Sequence, residues 1–150
     1  MMNSIQHTAN FTLPGRLEHI LPLFTPEGEK LWAPGWDYTP TLKDAEFDED
    51  YVFLTGSHDH ASTHAIWLVK RNEPEKGLIA YYRVEPGDKV GVVTVQCSQH
   101  GPDRTSVNVT YLYVPLTEKG QSFVAEYTEQ AHRDFIAQWR KHLEVYLSSK

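Results

Sequence analysis

The sequence predicts an α+β fold in a single domain: an antiparallel sheet of six or seven strands lying against one long C-terminal helix. Three observations predict it. Apolar and aromatic residues recur every four positions through Phe123, Tyr127, Ala131, Phe135, Trp139, Leu143 and Leu147, the spacing of a helix face. Before them come five runs of strand-forming residues separated by short turn sequences. The 150 residues suffice for one core, and no linker, repeat or low-complexity stretch divides 1–150.

Ser4 to Leu13 alternates loosely and reads as a first strand, ended by Pro14-Gly15. Two short helices follow. Leu17, Ile20, Leu21 and Phe24 have helical spacing, with Pro22 limiting the first helix. Thr25 is a good N-cap for the second, Pro26 fits its first position, and Glu27 and Glu29 suit the positive end of its dipole. Gly28 weakens that helix and Pro34-Gly35 ends it. Residues 37–50 read as a long loop, with a short strand around Ala45 to Phe47.

Five strands are then expected at about Tyr51–Ser57, Thr63–Arg71, Leu78–Val84, Val90–Ser98 and Thr105–Val114. Their breaks carry turn chemistry in His58-Asp59-His60, Asn72-Glu73-Pro74, Pro86-Gly87-Asp88 and Gly101-Pro102-Asp103. Links this short imply an antiparallel meander. One face should be buried. Alternation places Val107, Val109, Tyr111 and Tyr113 inward, and likewise Val93, Val95 and Cys97, then Ala65, Trp67 and Val69. On the strand from Leu78 both faces carry an aromatic, and the reading places Leu78, Ala80, Tyr82 and Val84 inward. The helix from Thr117 to Ser148 would span roughly 45 Å and must lie across this sheet.

Composition excludes several classes. Net charge is −6 and Lys and Arg form no block, so nucleic acid has little electrostatic support as a partner. No stretch of about 18 apolar residues is present, so no membrane span is expected. The polar residues Met1 to Ala9 do not read as a signal peptide. The single cysteine, Cys97, allows no internal disulfide and reads as a buried, inert thiol, which fits a reducing cytoplasm.

The order strand, two short helices, strands, long helix resembles the helix-grip fold of the START-like, or Bet v 1-like, superfamily. That superfamily includes polyketide cyclases and Aha1-type co-chaperone domains. The wording of Leu23-Phe24-Thr25-Pro26-Glu27-Gly28-Glu29-Lys30-Leu31-Trp32, running into Pro34-Gly35-Trp36, is closer to a bacterial subgroup, the SRPBCC proteins without settled function. Ile66-Trp67-Leu68-Val69, Tyr81-Tyr82-Arg83-Val84-Glu85-Pro86-Gly87 and Val107-Asn108-Val109-Thr110-Tyr111 extend the likeness over nearly the whole chain. The resemblance implies a strongly bent sheet gripping the C-terminal helix around a cavity. Its expected lining is Trp36, Phe53, Trp67, Tyr82, Val95, Val109, Tyr111, Tyr113, Phe135 and Trp139. The expected partner is a small hydrophobic or aromatic molecule. A polyketide cyclase- or dehydratase-like enzyme and an Aha1-like interaction module are the alternatives, and the long helix offers a surface for a homodimer.

Candidate chemistry is sparse. His58, Asp59, His60 and His64 have zinc-ligand character, but His58 and His60 flank a turn while His64 opens a strand, and a solvated hairpin tip is the preferred reading. Arg83 reads as a wet-face residue with its stem over apolar neighbours. Facing inward instead, it would hold a carboxylate or enolate. Tyr111 and Tyr113 either aim their hydroxyls at a ligand or fill core space. Trp36, Trp67 and Trp139 either wall a cavity or close it. Glu126 and His132 are expected at the surface. No nucleophile elbow, phosphate-cradling glycine loop or Ser-His-Asp arrangement is present, and no metal or cofactor is assigned.

Overall fold

In the computed structural model, which describes residues 2–56 and 65–150, one seven-stranded antiparallel sheet carries the fold. Its strands are β1 (Ile5–Pro14), β2 (Tyr38–Pro40), β3 (Val52–Thr55), β4 (Ala65–Glu73), β5 (Leu78–Glu85), β6 (Lys89–Gln99) and β7 (Arg104–Pro115). The spatial order is β1-β7-β6-β5-β4-β3-β2, so the meander from β2 to β7 is closed by β1 at its far edge. The additional short strand lies at Tyr38–Pro40, paired with β3, rather than around Ala45 to Phe47.

Between β1 and β2 run α1 (Leu17–Ile20), a 3-10 turn (Leu21–Phe24) and α2 (Pro26–Glu29). Pro22 lacks the amide that would extend α1, and the chain tightens there. The Thr25 hydroxyl accepts from the Gly28 amide, capping α2. Gly28 does more than weaken the helix. A Cβ there would lie 2.0 Å from the Pro22 carbonyl oxygen, so only glycine lets the two turns touch.

The expected single C-terminal helix is two: α3 (Glu118–Glu126) and α4 (Glu129–Ser148). Tyr127 leaves the helical conformation, and the Thr128 hydroxyl caps α4 by accepting from the Ala131 amide. The four-residue ladder also misplaces the buried face. Each i+4 step overshoots a full turn by about 40°, so a strict ladder winds off the core. The residues buried on α4 are His132, Ile136 and Leu143, while Phe135 is 39% exposed. His132 is fully buried, not superficial.

The core lies between the concave face of the sheet and these helices. Phe53, Trp67, Val69, Val93, Val95, Cys97, Val107 and Val109 are all buried in it. Burial pushes the Cys97 thiol up to about 12, as befits an unreactive group. The expected facing holds for β4, β6 and β7 and is reversed for β5, except that Ala80 is buried as well. There Ile79 and Tyr81 are buried, whereas Tyr82 is 38% exposed on the outer face, beneath Lys70. Tyr82 stands in a cross-strand row with Leu68, Val92 and Leu112. Both parities of β5 begin apolar, and the inner one ends in Arg83 and Glu85, which by polarity alone belong outside.

Candidate functional site

Between sheet and helices the core opens into a cavity of about 700 Å³. The loop after α2 supplies Trp32 and Trp36, the sheet Trp67, Tyr111 and Tyr113, and the helices Phe123, Phe135 and Trp139. Local hydrogen bonds fix three of the indoles. Trp32 donates to the Leu23 carbonyl at 2.7 Å, Trp36 to the Pro26 carbonyl at 2.9 Å and Trp67 to the Thr55 hydroxyl at 2.9 Å. With their polar edges satisfied, these rings turn hydrocarbon faces to one another. Trp36 meets Trp67 at 5.9 Å between centroids, and Trp32 meets Trp139 at 5.8 Å.

Six of the ten expected lining residues therefore reach the cavity: Trp36, Trp67, Tyr111, Tyr113, Phe135 and Trp139. Phe53, Val95 and Val109 are buried in the core instead of on the cavity surface. Tyr82 is on the wrong face of β5, for the reason given above.

One end of the cavity is charged. Arg83 points inward, contrary to the wet-face reading, its guanidinium 5.6 Å from the Trp67 ring centroid. It pairs with Glu85 at 2.7 Å, and Glu85 pairs with Lys89 at 3.0 Å. Lys89 reaches Asp88 at 3.5 Å, and Asp88 reaches Lys119 at 3.7 Å. The Lys89 side chain is only 7% exposed, and its ammonium sits 3.9 Å from the Phe123 ring centroid. Alternation could not reveal this Lys because it follows a turn. The turn is pinned from α3: Thr117 donates to the Gly87 carbonyl at 2.9 Å, and Gly120 passes so close that a Cβ would lie 2.0 Å from the Asp88 carbonyl oxygen.

The Tyr111 and Tyr113 hydroxyls make no hydrogen bond to protein among the described residues. Burial raises both above the usual phenol range; beyond that, for Tyr111, Tyr113 and Glu29 raise it further and Arg83 opposes. Both are thus neutral hydroxyls, able to donate and accept. Glu29 also lines the cavity, from the last turn of α2. Its carbonyl is anchored by the Trp32 and Ala33 amides at 3.3 and 2.9 Å. Its carboxyl has no hydrogen-bond or ion-pair partner among the described residues, and burial holds it well above the usual carboxylate range. The sequence reading assigned Glu29 to the helix dipole, a role any exposed acid fills. Its position three residues before Trp32 was the available signal.

His58, Asp59, His60 and His64 lie outside the described residues. Among the described residues, no cluster of three or more His, Cys, Asp or Glu could hold a metal ion. No described helix is long and apolar enough to cross a membrane.

No family model and no curated protein matches the chain. Solved structures do. Norcoclaurine synthase from Thalictrum flavum, in complex with dopamine and hydroxybenzaldehyde, superposes with a TM-score of 0.71 over 99% of this chain and 90% of its own, at 11% identity. Ara h 8.0201 gives 0.70 over 99% and 100%, at 10% identity. The fold is the Bet v 1-like helix grip. Protein XoxI from Bacillus cereus is a bacterial example, with a TM-score of 0.63 over 95% and 92% and 12% identity. The helix-grip architecture explains why the lining comes from elements far apart in sequence. At these identities it carries the fold and not the chemistry.

Proposed function

We propose that the chain binds a small, largely apolar aromatic molecule in the cavity between the sheet and α3–α4. The observation that carries this is the combination of three tryptophans, Trp32, Trp36 and Trp67, each held by its own hydrogen bond, with two tyrosine hydroxyls that have no protein partner among the described residues, all lining the same space. About 700 Å³ suits a molecule of drug-like size, and apolar walls with a few placed polar groups are the usual composition of such sites. The norcoclaurine synthase structure holds two small aromatic molecules, which supports the same class of ligand here.

The test is a thermal-shift screen of aromatic compounds, followed by a structure of the best complex. The expected result is stabilisation that is lost in Ala33→Trp, which fills the cavity. Stabilisation that survives Ala33→Trp, or the absence of any stabilising compound, counts against the proposal.

Catalysis of the cyclase or dehydratase kind is the second reading. It is favoured by one observation: Arg83, Tyr111 and Tyr113 all line the same cavity. An arginine and two neutral phenols can stabilise an enolate and relay a proton. Turnover of a poly-β-keto thioester, abolished in Tyr111→Phe and Arg83→Met while ligand-induced stabilisation persists, supports it. No turnover by the wild-type protein removes it.

A further inference from the structure

The cavity contains three acids, and they are not equivalent. Glu85 and Asp88 are neutralised by Arg83, Lys89 and Lys119. Glu29 has no such partner among the described residues, although it opens onto the same space. An unpaired carboxyl in apolar surroundings is costly, and an apolar lining needs none. The rings of Trp32, Trp139 and Tyr111 line the same cavity as Glu29, with centroid separations of 5.8 Å between Trp32 and Trp139 and 6.2 Å between Trp139 and Tyr111. Ring faces attract cations within about 6 Å, tryptophan most strongly. The same chain already seats Lys89 over Phe123 and Arg83 over Trp67 in this way.

We infer that the ligand is an aromatic amine, its ammonium paired with the Glu29 carboxylate among the rings of Trp32, Tyr111 and Trp139. This rests on the reading that the cavity is a binding site. In the empty cavity burial keeps Glu29 protonated above the usual carboxylate range. The ammonium arrives already charged, so Glu29 loses its proton to solvent as the pair forms. Binding therefore releases a proton, and affinity rises with pH until Glu29 is ionised in the empty protein. A protonated Glu29 donating to a ligand carbonyl would give the opposite slope.

Other ionisable groups face the same space. They are Arg83 from β5, Glu85, Asp88 and Lys89 at the β5–β6 end, Tyr111 and Tyr113 from β7, Lys119 from α3 and His142 from α4, and Tyr81 of β5 lies within electrostatic reach of Glu29. Tyr81 is committed to the Phe24 carbonyl at 2.5 Å. His142 lines the cavity, so His142→Gln is the control.

The experiment is calorimetry on the full chain with tryptamine, its neutral counterpart tryptophol and the anion indole-3-propionate. Tryptamine is expected to bind at least about tenfold more tightly than tryptophol at pH 7.5. Its binding should release protons, measured in buffers of different ionisation enthalpy, and be weaker at pH 5.5. Glu29→Gln should remove the advantage of tryptamine while leaving tryptophol binding intact, which also shows that the variant folds. His142→Gln should keep the advantage and the pH slope. Equal binding of tryptamine and tryptophol, tighter binding of the anion, or full tryptamine affinity in Glu29→Gln overturns the amine and leaves the cavity reading standing. Binding by none of the three overturns both.

Discussion

A neutral imidazole locks the joint between α3 and α4. His132 Nε2–H donates to the Val109 carbonyl at 3.0 Å, leaving Nδ1 to accept from the Tyr127 hydroxyl at 2.6 Å. Burial, with His7 stacked nearby, holds His132 below its ordinary value of 6.5, against the Val109 bond. As pH falls the unfolded chain takes up this proton first. The stabilisation is complete above about 6.5 and is lost as pH falls through the lower folded value. His132→Gln should cost about 1–3 kcal/mol at pH 7.5, from the bonds left unmade, and should flatten the fall in denaturation midpoint between pH 7.5 and 5. An unchanged slope would assign that fall to other groups. Glu29 acts with the opposite sign. The unfolded state ionises it first as pH rises above 4.5, so the empty protein is destabilised at higher pH. Glu29→Gln should therefore raise Tm more at pH 8 than at pH 5, the signature of an acid kept for function at the expense of stability. Gly120→Ala should destabilise by about 1–3 kcal/mol through its clash with Asp88, whereas Gly56→Ala, with nothing within 4 Å of the added carbon, should be near neutral.

At the scale of elements, the interruption at Tyr127-Thr128 decides where the cavity can be. A straight helix from Thr117 to Ser148 would carry the aromatic ladder away from the sheet. The break lets α3 dock on the β5–β6 turn while α4 crosses β1. It also brings Phe123 and Tyr127 to 5.0 Å from the Tyr113 ring. Thr128 holds the break by capping α4. Thr128→Ala should cost about 1 kcal/mol, read as a lower denaturation midpoint with unchanged m-value. A variant as stable as wild type would mean that His132 and the packing of Tyr127 set the joint unaided. Thr128-Glu129 carries N-cap chemistry that the sequence reading passed over. The four-residue ladder concealed it because it reads straight through.

For the whole molecule, the sheet is the frame and the cavity is the space the helices leave unfilled. An occupant that binds only the folded state adds stability by mass action. At a ligand concentration of 100 times Kd the gain is about 2.7 kcal/mol. For a chain of this length that corresponds to a rise in Tm of roughly 5–10 °C. A compound bound in the cavity by structure but leaving Tm unchanged would contradict this linkage and point to comparable affinity for the unfolded chain.

The sequence by itself determined six of the seven strands, the antiparallel meander of β3 to β7, the two short helices and the inward faces of β4, β6 and β7. It could do so because alternation and turn chemistry are local, and because a half-buried strand declares its faces by polarity. It also identified six of the cavity residues, since large aromatics on inward positions must lie near the core. The tertiary structure alone decided the rest. Arg83, Glu85 and Lys89 are charged yet inward because they neutralise one another, a pairing that joins the end of β5 to the start of β6. His132 is polar yet buried because Val109 and Tyr127 answer both its nitrogens. Glu29 is a surface-type residue by every local rule. Only the tertiary structure places it on the cavity, and no local pattern records which partners, if any, an acid will meet across the core.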